Sequence, residues 1–182
     1  MANFQVPTKD TVSENNQAIF ADLEKGLGFV PNLYATFAHN ETALGDYLTL
    51  QNRKSTLKGK EKEIVNLVVS EVNGCAYCKA AHTALGKMNG FTEDQILEIR
   101  SGEVSFNDKF DALAKFVKDT TINRGKPAPA STEALLAAGY SNASIVDIVV
   151  LIGDKIITNY LHGITQVAVD FPAAVELDAV PA

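Results

Sequence analysis

Apolar residues recur every three to four positions along most of this chain, which is the spacing of amphipathic helices. The spacing predicts a helix over residues 13–25, stopped by two glycines, and two further helices within residues 31–53. Pro31 suits the first position of the second helix, and Asn40 suits the cap of the third. Three helices are therefore expected in the N-terminal part of the chain.

The middle of the chain continues the same pattern. Residues 55–74 place aliphatic side chains on one side and charges on the other, and they end at the helix-stopping pair Asn73 and Gly74. A helix is predicted over residues 75–88, and residues 92–99 open with the threonine and glutamine of a capping box. Two more helices are therefore expected after the stop.

The C-terminal third contains two long apolar patterns separated by a loop. Residues 106–122 form the first pattern, and a segment with one glycine and two prolines, residues 123–131, ends it. A short helix over residues 131–139 precedes a long one within residues 141–172, which is apolar on nearly all sides. We expect this last helix to be central or to face another subunit. No strand alternation accompanies these patterns, so the predicted fold is an all-α bundle of about seven to nine helices.

Composition and charge limit the classes of function. The 182 residues, 46% hydrophobic, suffice for one core, so we expect a single domain over residues 1–182. The net charge of −6 does not favour nucleic-acid binding. The apolar run over residues 143–157 carries Asp147, Asp154 and Lys155, which argues against a membrane span. The first residues lack the pattern of a secretory signal, and we expect a cytoplasmic protein.

Both cysteines of the chain lie in one short stretch, EVNGCAYCKAAHTAL, residues 71–85. In a reducing compartment, such a close pair is more often redox-active or metal-binding than a structural disulfide. On a helix, Cys75, Cys78 and His82 share one stripe, because they are three and four residues apart. Gly74 leaves Cys75 at the helix start, and both the helix dipole and the nearby Lys79 favour a thiolate.

Three other interpretations of the motif compete with redox chemistry. A thioredoxin-like site requires a βαβ pattern, which the helical sequence does not offer. A zinc site requires at least three ligands and an open position, and His39 or His162 would have to join the motif to complete a tetrahedron. The cysteines could also fill core space as small apolar residues. We expect no metal and no cofactor, and elemental analysis of the purified protein decides the zinc alternative.

The stretch EKEIVNLVVSEVNGCAYCKAAHTALGKMNG resembles the core of the carboxymuconolactone decarboxylase and alkylhydroperoxidase D-like superfamily. The superfamily pattern is a glutamate, eleven residues, C-x-x-C, three residues and a histidine, which corresponds here to Glu63, Cys75, Cys78 and His82. The flanking segments GFVPNLYATFAHNETALGDYL and ITNYLHGITQVAVDFP are similar to its peroxidase-related subgroup. The resemblance implies an all-α fold and a homo-oligomer.

The resemblance also implies a role for each of the four residues. Cys78 would attack a hydroperoxide, and Cys75 would resolve the product as a disulfide that a protein or lipoyl-type dithiol reduces. His82 and Glu63 would relay the thiol proton. Tyr77 departs from the pattern, because the best-known members have a histidine there, and a phenol is a poor base at neutral pH.

Other expectations concern the alternatives and the neighbouring residues. The tyrosine motivates a second hypothesis, an oligomeric redox sensor or binding scaffold without turnover, while lactone decarboxylation is a minor one because those enzymes lack the cysteine pair. Cys75 is expected to be the more accessible cysteine for a reductant. Glu71 is interpreted as a solvated carboxylate and His39 as structural, and His162 is left outside the catalytic set as an interior histidine.

Overall fold

A computed structural model describes residues 4–177, and every regular element in that range is helical. Nine α-helices occur in the described residues, after a single 3-10 turn at Lys9–Thr11. They are α1 Glu14–Leu27, α2 Asn32–Phe37, α3 Ala43–Gln51, α4 Gly59–Val72, α5 Ala76–Met88, α6 Glu93–Ser101, α7 Asp108–Ile122, α8 Pro129–Ala137 and α9 Asn142–Thr165. The predicted all-α class is confirmed.

Most helix ends follow the capping residues that the sequence offers. The hydroxyl of Ser13 accepts a hydrogen bond at the start of α1, and Thr92 forms the expected capping box of α6. The end of α9 was predicted too late. Gln166 has a left-handed backbone, and its side-chain amide donates to the carbonyls of His162 and Gly163, which closes the helix before the last apolar residues.

Helix α4 is the central element of the bundle. It packs against α5, α6, α7 and α9, and every residue from 63 to 70 is buried. The prediction of one charged side is therefore wrong for this stretch, because Glu63, Asn66 and Ser70 are enclosed together with the aliphatic side chains. The polar groups of α4 that matter for chemistry lie inside the protein.

Helix α9 lies at the surface, and its polarity is reversed relative to an ordinary surface helix. Its charged side chains Asp147, Asp154 and Lys155 are buried, whereas five large hydrophobic side chains are exposed: Val146, Val149, Ile157, Tyr160 and Ile164. No single helix within residues 4–177 is long and apolar enough to cross a membrane, although α8 and α9 pass that test as a pair bent by 119°.

Three groups of buried apolar side chains hold the helices together. The largest lies around α4, α6, α7 and α9, and a second joins α1, α2 and α3. The third is small and contains both cysteines: Leu33, Cys75, Tyr77, Cys78 and Val167. The cysteines are thus packed between α2, α5 and the segment after α9.

Candidate active site

A tight turn between α4 and α5 positions the two cysteines. Gly74 has a φ of 64°, which a residue without a side chain adopts readily, and the amide of Cys75 donates to the carbonyl of Ser70. Cys75 is the N-cap of α5, and its Sγ accepts a hydrogen bond from the amide of Cys78 at 3.2 Å. The expected position of Cys75 at a helix start is confirmed, and the field of that helix end favours a thiolate there.

The structure contains the oxidised form of the pair, a disulfide between Cys75 and Cys78 with their Cα atoms 5.3 Å apart. Both residues are buried, with 4% and 3% of their surface exposed. These exposed fractions do not distinguish the two cysteines, so the expectation that Cys75 is the more accessible stays a prediction. Leu33 and Val167 belong to the same buried cluster as both cysteines, and of the two cysteines only Cys78 lines the neighbouring cavity.

Glu63 and His82 lie next to each other on the facing helices α4 and α5. Nδ1 of His82 is 2.9 Å from Oε2 of Glu63, and Asn66 donates to the other carboxylate oxygen at 3.1 Å. A carboxylate can only accept, so Nδ1 carries a proton and donates it to Glu63. Burial alone raises the pKa of Glu63, but the charge and hydrogen bond of His82, with Lys155 and Asn66, outweigh it and hold the pKa below its usual value.

Lys155 approaches the same histidine from α9. Its Nζ is 3.2 Å from Nε2 of His82 and 3.4 Å from the hydroxyl of Tyr47, and 2% of the residue is exposed. Burial lowers the pKa of Lys155, and the charges of Asp154 and Glu63 oppose that shift. Sequence reasoning missed this residue as part of the site. The sequence feature that could have indicated it is the pair of charged residues, Asp154 and Lys155, inside an apolar helix, because buried charges need partners.

A cavity of about 420 Å³ opens onto these groups. Its polar floor is formed by Cys78, His82, Glu63, Asn66 and Lys155. Its walls contain leucines of α1, α2, α3, α5 and α9 and also polar residues, among them Gln51, Lys62 and Asp154. A volume of roughly 300–1,000 Å³ is typical of small-molecule sites. The arrangement therefore combines a cysteine, a hydrogen-bonded base and a cation in a pocket whose walls are largely apolar.

Tyr77 serves as an anchor of the structure. Its hydroxyl donates to Oδ1 of Asp170 and accepts from the amide of Leu33 at 3.3 Å. Burial raises the pKa of Tyr77, and the hydrogen bond to Asp170 raises it further. The tyrosine between the cysteines therefore stays protonated and holds the segment after α9.

That segment, residues 166–176, crosses the N-terminal end of α5, and we call it the C-terminal strap. Asp170 also accepts from the amide of Asn32 at 2.7 Å, which ties the strap to α2. Lys79 donates to Glu176 at 2.7 Å, so its charge is paired at the strap rather than free to act on a thiol alone. Val167 of the strap belongs to the buried cluster that contains both cysteines, and Phe171 of the strap lines the cavity.

Glu71 and the remaining histidines lie outside this group. Glu71 accepts a hydrogen bond from Nε of the buried Arg100 at 2.7 Å and forms an ion pair with the same guanidinium, so its interpretation as a solvated carboxylate is wrong. His162 is buried with its ring 5.4 Å from that of Tyr77, and its Nε2 is 3.2 Å from the carbonyl of Val167. His39 bonds the carbonyl of Gln5 through Nε2. Within residues 4–177, no group of three histidine, cysteine or acidic residues is arranged to hold a metal.

Comparison with known proteins gives one family and several similar folds. Residues 36–119 match the model of the carboxymuconolactone decarboxylase family. An uncharacterized peroxidase-related protein from Silicibacter sp. TM1040 is 23% identical, with a TM-score of 0.80 over 91% of this chain and 90% of that one. No match was found among curated proteins.

Two further solved structures have a similar fold at lower identity. A peroxidase-related protein from Ralstonia eutropha JMP134, described as an alkylhydroperoxidase core, is 18% identical, with a TM-score of 0.83 over 92% of each chain. The debrominase Bmp8 is 16% identical, with a TM-score of 0.77 over 93% of this chain and 92% of its own. At these identities the structures establish a shared fold, on which more than one chemistry occurs.

Proposed function

We propose that this chain is a thiol-dependent peroxidase of the carboxymuconolactone decarboxylase and alkylhydroperoxidase D-like superfamily, whose family model matches residues 36–119. The observation that carries the proposal is the cavity in which Cys78 lies beside the bonded pair of His82 and Glu63. Peroxide reduction by a cysteine requires a thiolate, a base that takes its proton and a proton for the leaving oxygen. The cavity floor contains groups suited to each requirement.

In the proposed first step, Cys78 attacks the distal oxygen of the hydroperoxide. His82 takes the thiol proton at Nε2, and Glu63 stabilises the resulting imidazolium through Nδ1. A sulfur–oxygen bond forms and the oxygen–oxygen bond breaks, so the thiolate is oxidised to a sulfenic acid. The peroxide is reduced by two electrons and leaves as an alcohol after it gains one proton.

In the second step, Cys75 resolves the sulfenic acid. Its thiol loses a proton, the thiolate attacks the sulfur of Cys78, and the hydroxide that leaves takes up that proton as water, which produces the Cys75–Cys78 disulfide. A protein or lipoyl-type dithiol then reduces the disulfide and closes the cycle. No metal or cofactor takes part in these steps, and the site residues are Cys78, Cys75, His82 and Glu63.

The size and lining of the cavity favour organic hydroperoxides as substrates. The leucines of its walls can bury the carbon skeleton of an organic hydroperoxide, whereas hydrogen peroxide has no apolar group to bury. Tyr77 replaces the family histidine but is engaged by Asp170, so His82 is left as the base of the reaction. The redox sensor and the lactone decarboxylase remain the competing functions.

The proposal also covers the cellular compartment, the domain organisation and the assembly of the protein. A cycle that ends in a dithiol needs a compartment with a thiol reductant, which supports the cytoplasm. We also propose one domain over the whole chain, and a homo-oligomer built through the exposed side of α9. Its exposed positions from 143 to 164 carry no charge, which is unusual for a surface in contact with water.

A thiol titration tests the proposed function. Reduced protein exposed to cumene hydroperoxide should lose two titratable thiols and two mass units per chain, because the product is a disulfide without added oxygen. Protein with Cys78→Ser should keep its remaining thiol under the same conditions. Two titratable thiols after excess hydroperoxide would contradict the proposal.

A further inference from the structure

Lys155 differs from the other buried cations of the molecule in what it contacts. Three lysine or arginine side chains are buried in the part of the chain that the structure describes: Lys79, Arg100 and Lys155. Lys79 and Arg100 each have a carboxylate oxygen at 2.7 Å. The carboxylate nearest to Lys155 is that of Asp154, at 3.8 Å. The ion pair of Lys155 is therefore longer than those of Lys79 and Arg100, and it leaves the ammonium able to contact other groups.

The close contacts of Lys155 are instead with the catalytic base and the cavity. Its Nζ is 3.2 Å from Nε2 of His82, and it lines the cavity onto which Cys78 opens. An ammonium has no lone pair, so Lys155 donates and Nε2 accepts. That direction agrees with the other side of the ring, where Nδ1 donates to Glu63. A continuous line of hydrogen bonds therefore runs from Glu63 through the imidazole to the ammonium.

We propose that Lys155 is the general acid of the peroxidase reaction and gives its proton to the leaving oxygen of the hydroperoxide. The inference rests on the proposed function and adds a catalytic residue to it. As the thiolate of Cys78 forms its bond to the distal oxygen, the electron pair of the broken bond remains on the alkoxide. The ammonium turns from Nε2 of His82 to that alkoxide, which frees Nε2 for the thiol proton, and by protonating the alkoxide it becomes an amine. His82, which holds the thiol proton, returns it to the amine across their contact.

Three properties of the position suit Lys155 to this role. The imidazole already has the task of accepting the thiol proton, and a separate donor allows both transfers to occur in one transition state. The lysine also supplies a positive charge next to the developing alkoxide from a buried position, where such a charge is more effective than at the surface. The lowered pKa of Lys155 makes it a stronger acid than an exposed lysine.

The experiment compares two oxidants in the wild-type protein and in Lys155→Met. The leaving group of an alkyl hydroperoxide is an alkoxide, which needs a proton in the transition state. The leaving group of a peroxyacid is a carboxylate, which does not need one. We expect Lys155→Met to oxidise its thiols about 100-fold more slowly with the alkyl hydroperoxide, the size of a typical general-acid contribution, and at nearly the wild-type rate with the peroxyacid. The readout is the ratio of the two rate constants.

This ratio separates catalysis from folding. Both rates are measured on one preparation, so a smaller amount of folded protein lowers them equally and cancels. Lys155→Gln provides a second uncharged variant if the methionine variant is insoluble. Lys118→Met is the matched control, because Lys118 lies on α7 and donates to the carbonyl of Ser101, away from the cavity. It should leave the ratio unchanged.

The outcomes distinguish this inference from the proposed function. A wild-type protein that neither oxidant oxidises would overturn the peroxidase proposal, and the role of Lys155 with it. A wild-type protein that reacts, with both rates lowered equally in each Lys155 variant, would overturn the general-acid role alone. A loss confined to the alkyl hydroperoxide would support both.

Discussion

The two cysteines differ at the residue scale in the surroundings of each sulfur. Cys78 lines the cavity together with His82, one helical turn away on α5. Cys75 lies at the N-terminus of the helix, where its sulfur accepts the amide of Cys78. A helix start stabilises a thiolate, which suits Cys75 to leave when a reductant attacks the disulfide at Cys78.

Single cysteine variants should show this division directly. In Cys75→Ser, hydroperoxide should leave a sulfenic acid on Cys78, because no thiol remains to resolve it. Cys78→Ser should react slowly and trap little, since its remaining cysteine does not line the cavity. The measurement is mass spectrometry after labelling with a sulfenic-acid reagent. The opposite pattern would exchange the two roles, and equal labelling would mean that neither thiol is specially activated.

Two glutamates of α4 should respond differently to the same substitution. Glu63→Gln removes the negative partner of His82 and should slow thiol oxidation about 100-fold, as expected when a base loses its orienting carboxylate. Glu71→Gln breaks the pair with the buried Arg100 and should lower the free energy of unfolding by about 3 kcal/mol. Urea unfolding and stopped-flow oxidation measure the two effects. A slow but fully stable Glu71→Gln would contradict these assignments.

The sequence determined part of this site in advance. Glu63 and His82 were paired by their resemblance to a family pattern, and the facing helices α4 and α5 bring them to 2.9 Å. The apolar periodicity could not place Lys155 beside His82, because the two residues are 73 positions apart and their contact depends on how α9 packs. A charged residue in an apolar helix indicates burial with a partner, but the partner is known only from the tertiary structure.

The C-terminal strap is the feature of most consequence at the scale of elements. It is extended rather than helical, and it is fastened by Asp170 to Tyr77 and Asn32 and by Glu176 to Lys79. The sequence predicted helix into this region because the apolar pattern continues. The left-handed Gln166 ends the helix and lets Val167 pack on the cysteines. The apolar spacing alone could not distinguish a continued helix from an extended segment whose apolar side chains pack on the cysteines.

Removing the hydroxyl of Tyr77 should loosen the strap. Tyr77→Phe loses the bond to Asp170, which should cost about 1 kcal/mol and raise the open population of the strap about fivefold. We expect faster hydrogen exchange over residues 166–176 and faster reduction of the disulfide by dithiothreitol. Tyr160→Phe, at an exposed tyrosine of α9, is the control. Unchanged exchange in the strap would contradict its anchoring by Tyr77.

The exposed side of α9 sets the expectation at the scale of the whole molecule. Its charges point inward and its large apolar side chains point outward, which fits a surface covered by a second copy of the chain. Val149→Lys places a charge in this surface, and Met88→Lys does so at an exposed apolar residue of another helix. Light scattering should detect an oligomer for wild type and Met88→Lys and smaller species for Val149→Lys. A monomeric wild type would refute the oligomer.

The central claim is that the dithiol turns over, and steady-state consumption of an organic hydroperoxide tests it most directly. Wild-type protein at low concentration is mixed with cumene hydroperoxide and excess dihydrolipoamide, and loss of peroxide above the uncatalysed rate is followed. The account predicts many equivalents of peroxide consumed per chain, and none above background for Cys78→Ser. Consumption that stops after one equivalent, while the reductant remains in excess, would contradict the account and identify a sensor.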